Sequence, residues 1–169
     1  MSRTWTTKER AGALEALCDP RRSKGWDLDL GYDVVPRWSK LSIVESAVHE
    51  IAHAVCLRLD RKDRVEWEAT LPNVSGAVAE ALGRFTDSRR LWQEILTLAA
   101  EELVLRRLNL RVWHIVAWRA ARRSAKGREQ WFMGCVRRAA RWKITRRRAD
   151  RVMCILDDIC ERGERAQAL

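Results

Sequence analysis

The feature that most restricts the fold is an apolar repeat between Ser42 and about Leu59, where Ile43, Ala47, Val48, Ile51, Ala52, Val55 and Leu59 recur at helical spacing. Residues three and four apart share a helix face, so the segment predicts an amphipathic helix with one broad buried side. Its start is marked too, because Ser42 and Glu45 stand in capping-box relation. On the same segment lies His49-Glu50-Ile51-Ala52-His53, an HExxH pattern. Histidines four apart on one face can reach a single ion, and Glu50, beside His49, can activate a water there. Zinc (Zn2+) suits such a site, since two or three nitrogen or oxygen ligands leave a coordination position open. The neighbours Ser46, Ala47, Val48, Ile51, Ala52, Ala54 and Val55 are uncharged, as expected of a helix set into a cleft with its ionisable groups gathered at the ion. The competing reading is a structural histidine pair.

Other segments are shorter or less regular. Thr7 to Cys18 reads as a helix, and residues 19–40, with Pro20, Gly25, Gly31 and Pro36, as irregular. Arg64 to Leu71 alternates Val65, Trp67, Ala69 and Leu71 with Glu66, Glu68 and Thr70, a period of two that predicts a half-exposed strand before a turn at Pro72 to Gly76. Further helices are expected from the Asp87 cap to about Leu108, from Asn109 to Ser124, from Arg128 to Arg141 and from Ile144 to Glu161. The expected class is mainly α with an α+β element: a zincin-like helical domain with a small β-sheet carrying an edge strand. At 169 residues one domain is expected. Within it, residues 1–40 would form a helix and irregular extension, 41–124 the catalytic core, and 125–169 a basic helical extension packed on that core.

Charge is unevenly spread. The net charge is +10, yet residues 1–110 hold 17 Lys/Arg against 17 Asp/Glu, while residues 111–151 hold 14 Lys/Arg against Glu129 and Asp150 alone. Trp113, Trp118, Trp131 and Trp142 are interleaved with these arginines, a composition that suits phosphate contact with base stacking. Arg146, Arg147, Arg148 and Arg151 crowd the start of the last expected helix, where the helix dipole disfavours them, and Asp157, Asp158 and Glu161 sit toward its end. A nucleic acid, an acidic protein partner and a solvated face all fit this pattern. No run approaches the ~18 apolar residues of a membrane span, the start MSRTWTTKER lacks a secretory apolar segment, and the five cysteines form no CxxC pair. A cytoplasmic protein is expected.

Beyond HExxH, the run HEIAHAV resembles the HEAGHA signature of the FtsH-type zinc metallopeptidases. VEWEATLP followed by Gly76-Ala77-Val78 is similar to that family's substrate-side strand, and Ala99-Ala100-Glu101-Glu102-Leu103 to its Ala-Glu-Glu helix. The likeness spans roughly Glu45 to Arg122. Ala52 stands where the family has Gly, and there is neither a GxxxxGK[ST] loop nor a membrane span, so neither ATP nor a membrane anchor is expected. The resemblance implies a soluble, free-standing zinc endopeptidase acting on accessible protein or peptide segments. Glu50 would be the general base, and Val65, Glu66, Trp67, Glu68 and Ala69 would bind substrate as an added strand. The family's third ligand, an aspartate, has no counterpart here; aligning Ala117 and Ala121 with the family helix puts His114 at or beside that position. His49, His53 and His114 are then the expected ligands. Glu101 is the rival third ligand, with Glu102 or Glu94 behind it. The alternative function is a nucleic-acid-associated binding or regulatory protein on a zincin scaffold, with zinc structural or lost.

Overall fold

The computed structural model describes residues 4–19, 27–29, 34–36, 42–57, 65, 88–110 and 127–168. Helix α1 (Thr7–Glu15) is opened by a reciprocal cap: the Glu9 N–H donates to Thr6 Oγ1 at 3.2 Å and the Thr6 N–H donates to the Glu9 carboxylate at 2.7 Å. Helix α2 (Ile43–Leu57) begins the same way, with the Glu45 N–H donating to Ser42 Oγ at 3.2 Å and the Ser42 N–H to the Glu45 carboxylate at 2.7 Å. The capping box expected from Ser42 and Glu45 is therefore formed.

Helix α3 (Ser88–Arg107) stops where Asn109 turns left-handed, with φ of 54°. There the Leu110 N–H reaches the Leu105 carbonyl at 2.8 Å and the Asn109 N–H the Arg106 carbonyl at 3.1 Å, the paired bonds of a Schellman ending. Helix α4 (Gly127–Ala139) passes through a tight turn into α5 (Lys143–Gln167). The buried Thr145 hydroxyl donates to the Ala139 carbonyl at 2.6 Å and ties the two together. No helix among the described residues is long and apolar enough to cross a membrane.

Two apolar clusters hold these helices. One joins Leu14 of α1, Val44, Val48 and Ile51 of α2, Val104 and Leu105 of α3, and Val152, Leu156 and Ile159 of α5. The other joins Cys56 of α2, Ile95, Leu96 and Ala99 of α3, Val136 of α4, and Ile144 of α5. Helix α3 thus lies in both clusters, its first half against α4 and its second half beside α2 and α5. The apolar face of α5 packs inward within this one chain, with Ile144, Val152, Leu156 and Ile159 at or below 1% exposure.

The expected α+β class needs correction: the fold is mainly α. Val65, which the period-two pattern puts in an edge strand, is helical and 59% exposed. The physical reason is that a run of eight residues holding good helix formers such as Glu66, Glu68, Ala69 and Leu71 satisfies a helix as readily as a strand. Glu66, Trp67, Glu68 and Ala69 lie outside the described residues. The only extended pairings among the described residues are β1 (Cys18–Asp19), β2 (Asp27–Asp29) and β3 (Val34–Pro36), with Leu28 opposite Cys18 and Val35. These two- and three-residue pairings fall in the stretch expected to be irregular, apart from Cys18, expected to end the first helix, and among the described residues no strand stands where the edge strand of the small sheet was expected.

Candidate metal centre

Seven of the first nine residues of α2 and several of its later ones are buried, which leaves little freedom in how the helix is rotated. That rotation brings His49, Glu50 and His53 to a half-buried position. The His49 and His53 Nε2 atoms stand 3.2 Å apart, and the rings meet edge to face with centroids 4.6 Å apart. The four-residue spacing thus does what the motif requires: two imidazole nitrogens face one another across a single gap.

Helix α3 supplies carboxylates from the other side. Glu101, whose side chain is 6% exposed, contacts His49 Nδ1 at 2.9 Å. Glu94, two turns earlier on α3, stands 3.8 Å from His53 Nε2. The earlier histidine meets the later glutamate and the later histidine the earlier one, so the two helices run antiparallel here. Because residues seven apart lie almost on one line along a helix, Glu94 and Glu101 present themselves together.

The electrostatics follow from that convergence. Burial acts to lower the pKa of His49, but the hydrogen bond and charge of Glu101, helped by Glu50 and Glu94, outweigh it and hold the imidazole above its usual 6.5. A carboxylate on Nδ1 favours the tautomer with its proton there, which leaves the Nε2 lone pair directed at the gap. Two nitrogen donors with an orienting carboxylate and further carboxylates nearby are a donor set that fits zinc. The pair is formed while a third donor stands off: among the described residues, no group of three or more His, Cys, Asp or Glu side chains is drawn together tightly enough to hold a metal ion.

The other site residues expected from sequence divide three ways. Glu101 touches His49 as the orienting partner. Glu102 turns aside, accepting from Arg106 Nε at 2.9 Å and Nη2 at 2.8 Å. His114 lies outside the described residues. Of the basic group, Arg146, Arg147 and Arg151 are exposed on α5, whereas Arg148 is half-buried and its charge acts on the Cys56 thiol. The acidic residues expected near the end of the last helix are well inside it, since α5 continues to Gln167, and Asp157 pairs with the buried Arg10 at 2.9 Å. Glu94, placed behind Glu101 in the sequence reading, stands by His53, and its signal in the sequence is the seven-residue spacing to Glu101. No family model, curated protein or solved structure matches the chain.

Proposed function

We propose that the chain is a zinc-dependent endopeptidase in which His49 and His53 hold the ion and Glu50 moves the proton during hydrolysis. The observation that carries this reading is the 3.2 Å approach of the two Nε2 atoms, with Glu101 fixing the outer nitrogen of His49. The resemblance of HEIAHAV to the FtsH-type signature supports it. Zinc, when bound, supplies Lewis acidity that makes water a nucleophile near neutral pH and polarises the scissile carbonyl. The Glu50 carboxylate takes the proton of the attacking water and delivers it to the leaving amide nitrogen. Its place beside His49, half-buried and one residue along the helix, suits that transfer. The substrate class is an accessible, unfolded peptide segment, and a reducing compartment such as the cytoplasm suits a chain whose five cysteines form no disulfide.

Glu50→Gln separates binding from chemistry. The variant is expected to retain zinc at wild-type stoichiometry while cleavage of an unfolded casein-type substrate falls about 10²–10⁴-fold, the usual worth of a positioned general base. Equal cleavage by both proteins would refute the assignment.

A second reading rests on the exposed Arg146, Arg147 and Arg151, which lie on the solvent side of α5 opposite buried Ile144, Ala149 and Val152. In that reading the scaffold binds nucleic acid. Affinity for a mixed-sequence duplex would then fall steeply with salt, and neutralising these three arginines would flatten the dependence by roughly one unit of log–log slope per lost phosphate contact.

A further inference from the structure

We infer that Glu94 is the third protein ligand of the metal ion, and that Glu101 is a positioning residue that acts through His49. This inference rests on the zinc reading given above and assigns a ligand set to that centre. The first argument is positional. Glu101 meets Nδ1 of His49, the ring nitrogen on the side away from His53, whereas Glu94 approaches Nε2 of His53, the nitrogen that faces the shared gap. Of the two α3 carboxylates, only Glu94 is on the Nε2 side, where the two rings face one another.

The distances agree. Donor atoms about 2.0–2.1 Å from one tetrahedral ion stand about 3.3 Å from each other. The two Nε2 atoms are already at 3.2 Å, and Glu94 Oε2 lies 3.8 Å from His53 Nε2. Closing the remaining gap of about 0.5 Å needs only a turn of the terminal carboxylate, whose last torsion is broad and roughly two-fold. The Glu94 side chain is 18% exposed, so it has room for that turn.

Charge supplies the third argument. Glu50, Glu94 and Glu101 are all close enough to act on His49, so three carboxylates crowd two imidazoles in a largely apolar helix interface. Three carboxylates facing two imidazoles give the gap a negative potential, which draws a cation. A divalent cation between the two Nε2 atoms and Glu94 compensates it. Glu101 remains on His49 Nδ1, where it holds the ring and its tautomer and raises the basicity of the ligating nitrogen.

The test measures metal rather than turnover. Protein stripped with a chelator is titrated with zinc against a chromogenic competitor, and the cobalt-loaded form is examined by visible absorption. Glu94→Gln is expected to weaken zinc at least 100-fold and to change the cobalt spectrum, with helical circular dichroism unchanged. Glu94→His, which returns a donor, is expected to recover most of the affinity. Glu101→Ala should weaken zinc about 10–100-fold at unchanged stoichiometry, with Glu101→Gln restoring most of the loss through its amide oxygen. His114→Ala should bind as wild type. Wild-type affinity in Glu94→Gln overturns the ligand assignment while leaving a zinc peptidase intact. Zinc bound through Glu94 without peptide cleavage keeps the assignment and removes the peptidase; absence of zinc binding by the wild-type chain overturns both.

Discussion

Burial pushes the thiols of Cys56 and Cys160 up to about 12, against the weaker downward pull of Thr97 and Arg148 on the first and of Arg10 on the second. At pH 8 such a thiol is about 10⁻⁴ thiolate, and the thiolate is the reactive form. Cys154 differs in being exposed on α5. Brief alkylation of the folded protein with iodoacetamide at pH 8 is therefore expected to modify Cys154 and to spare Cys56 and Cys160, which become reactive on adding denaturant. Peptide mass mapping reads this directly, and early labelling of Cys56 would show that the contact between α2 and α3 opens readily. Because Cys56 lies three residues after His53, its protection also reports on the closure of the candidate centre.

Among the elements, the ending of α3 gives the sharpest expectation. Asn109 adopts a left-handed conformation that an L-residue with a larger or branched side chain resists and glycine accepts freely. Asn109→Gly is expected to stabilise the fold by about 0.5–1 kcal/mol and Asn109→Ala to destabilise it by about 1 kcal/mol, both measurable by urea unfolding. The sequence announced α2 well, since its apolar period, its Ser42–Glu45 cap and its two histidines all act within one helix. It announced the existence of α3 but not which histidine Glu94 and Glu101 each meet, which depends on how α3 is aligned against α2. The alternation around Val65 misled because a short period-two run carries no information about which neighbour it packs against. The expected end of the last helix at Glu161 fell short of Gln167 for a related reason: Gly163 is a poor helix former, but α1 passes so close that a side chain there would meet the Ala13 carbonyl.

At the scale of the whole molecule, α1 and α5 close the structure. Arg10, 7% exposed, donates to Asp157 through Nε and Nη2 and to the Trp5 carbonyl through Nη1, and Gln167 donates to the Gly12 carbonyl at 2.8 Å. Gly163→Ala forces these helices apart and is expected to cost about 1–3 kcal/mol, which lowers Tm by about 2–12 °C in a chain of this size. Gly134→Ala is the matched control, because an added methyl there meets nothing within 4 Å. It should stabilise α4 by about 0.5–1 kcal/mol. Equal melting temperatures for the two variants would show that the α1–α5 contact contributes little.

The pairing of Arg10 with Asp157 also sets a clock. During synthesis α2 leaves the ribosome roughly a hundred residues before Asp157, a delay on the order of 5–20 s at ~5–20 residues per second. Throughout that interval the apolar face that α5 will cover is open, and α1 has its contact with α2 but not its larger one with α5. The cluster that fixes the rotation of α2, and with it the placement of His49 and His53, is therefore complete only once α5 has been made.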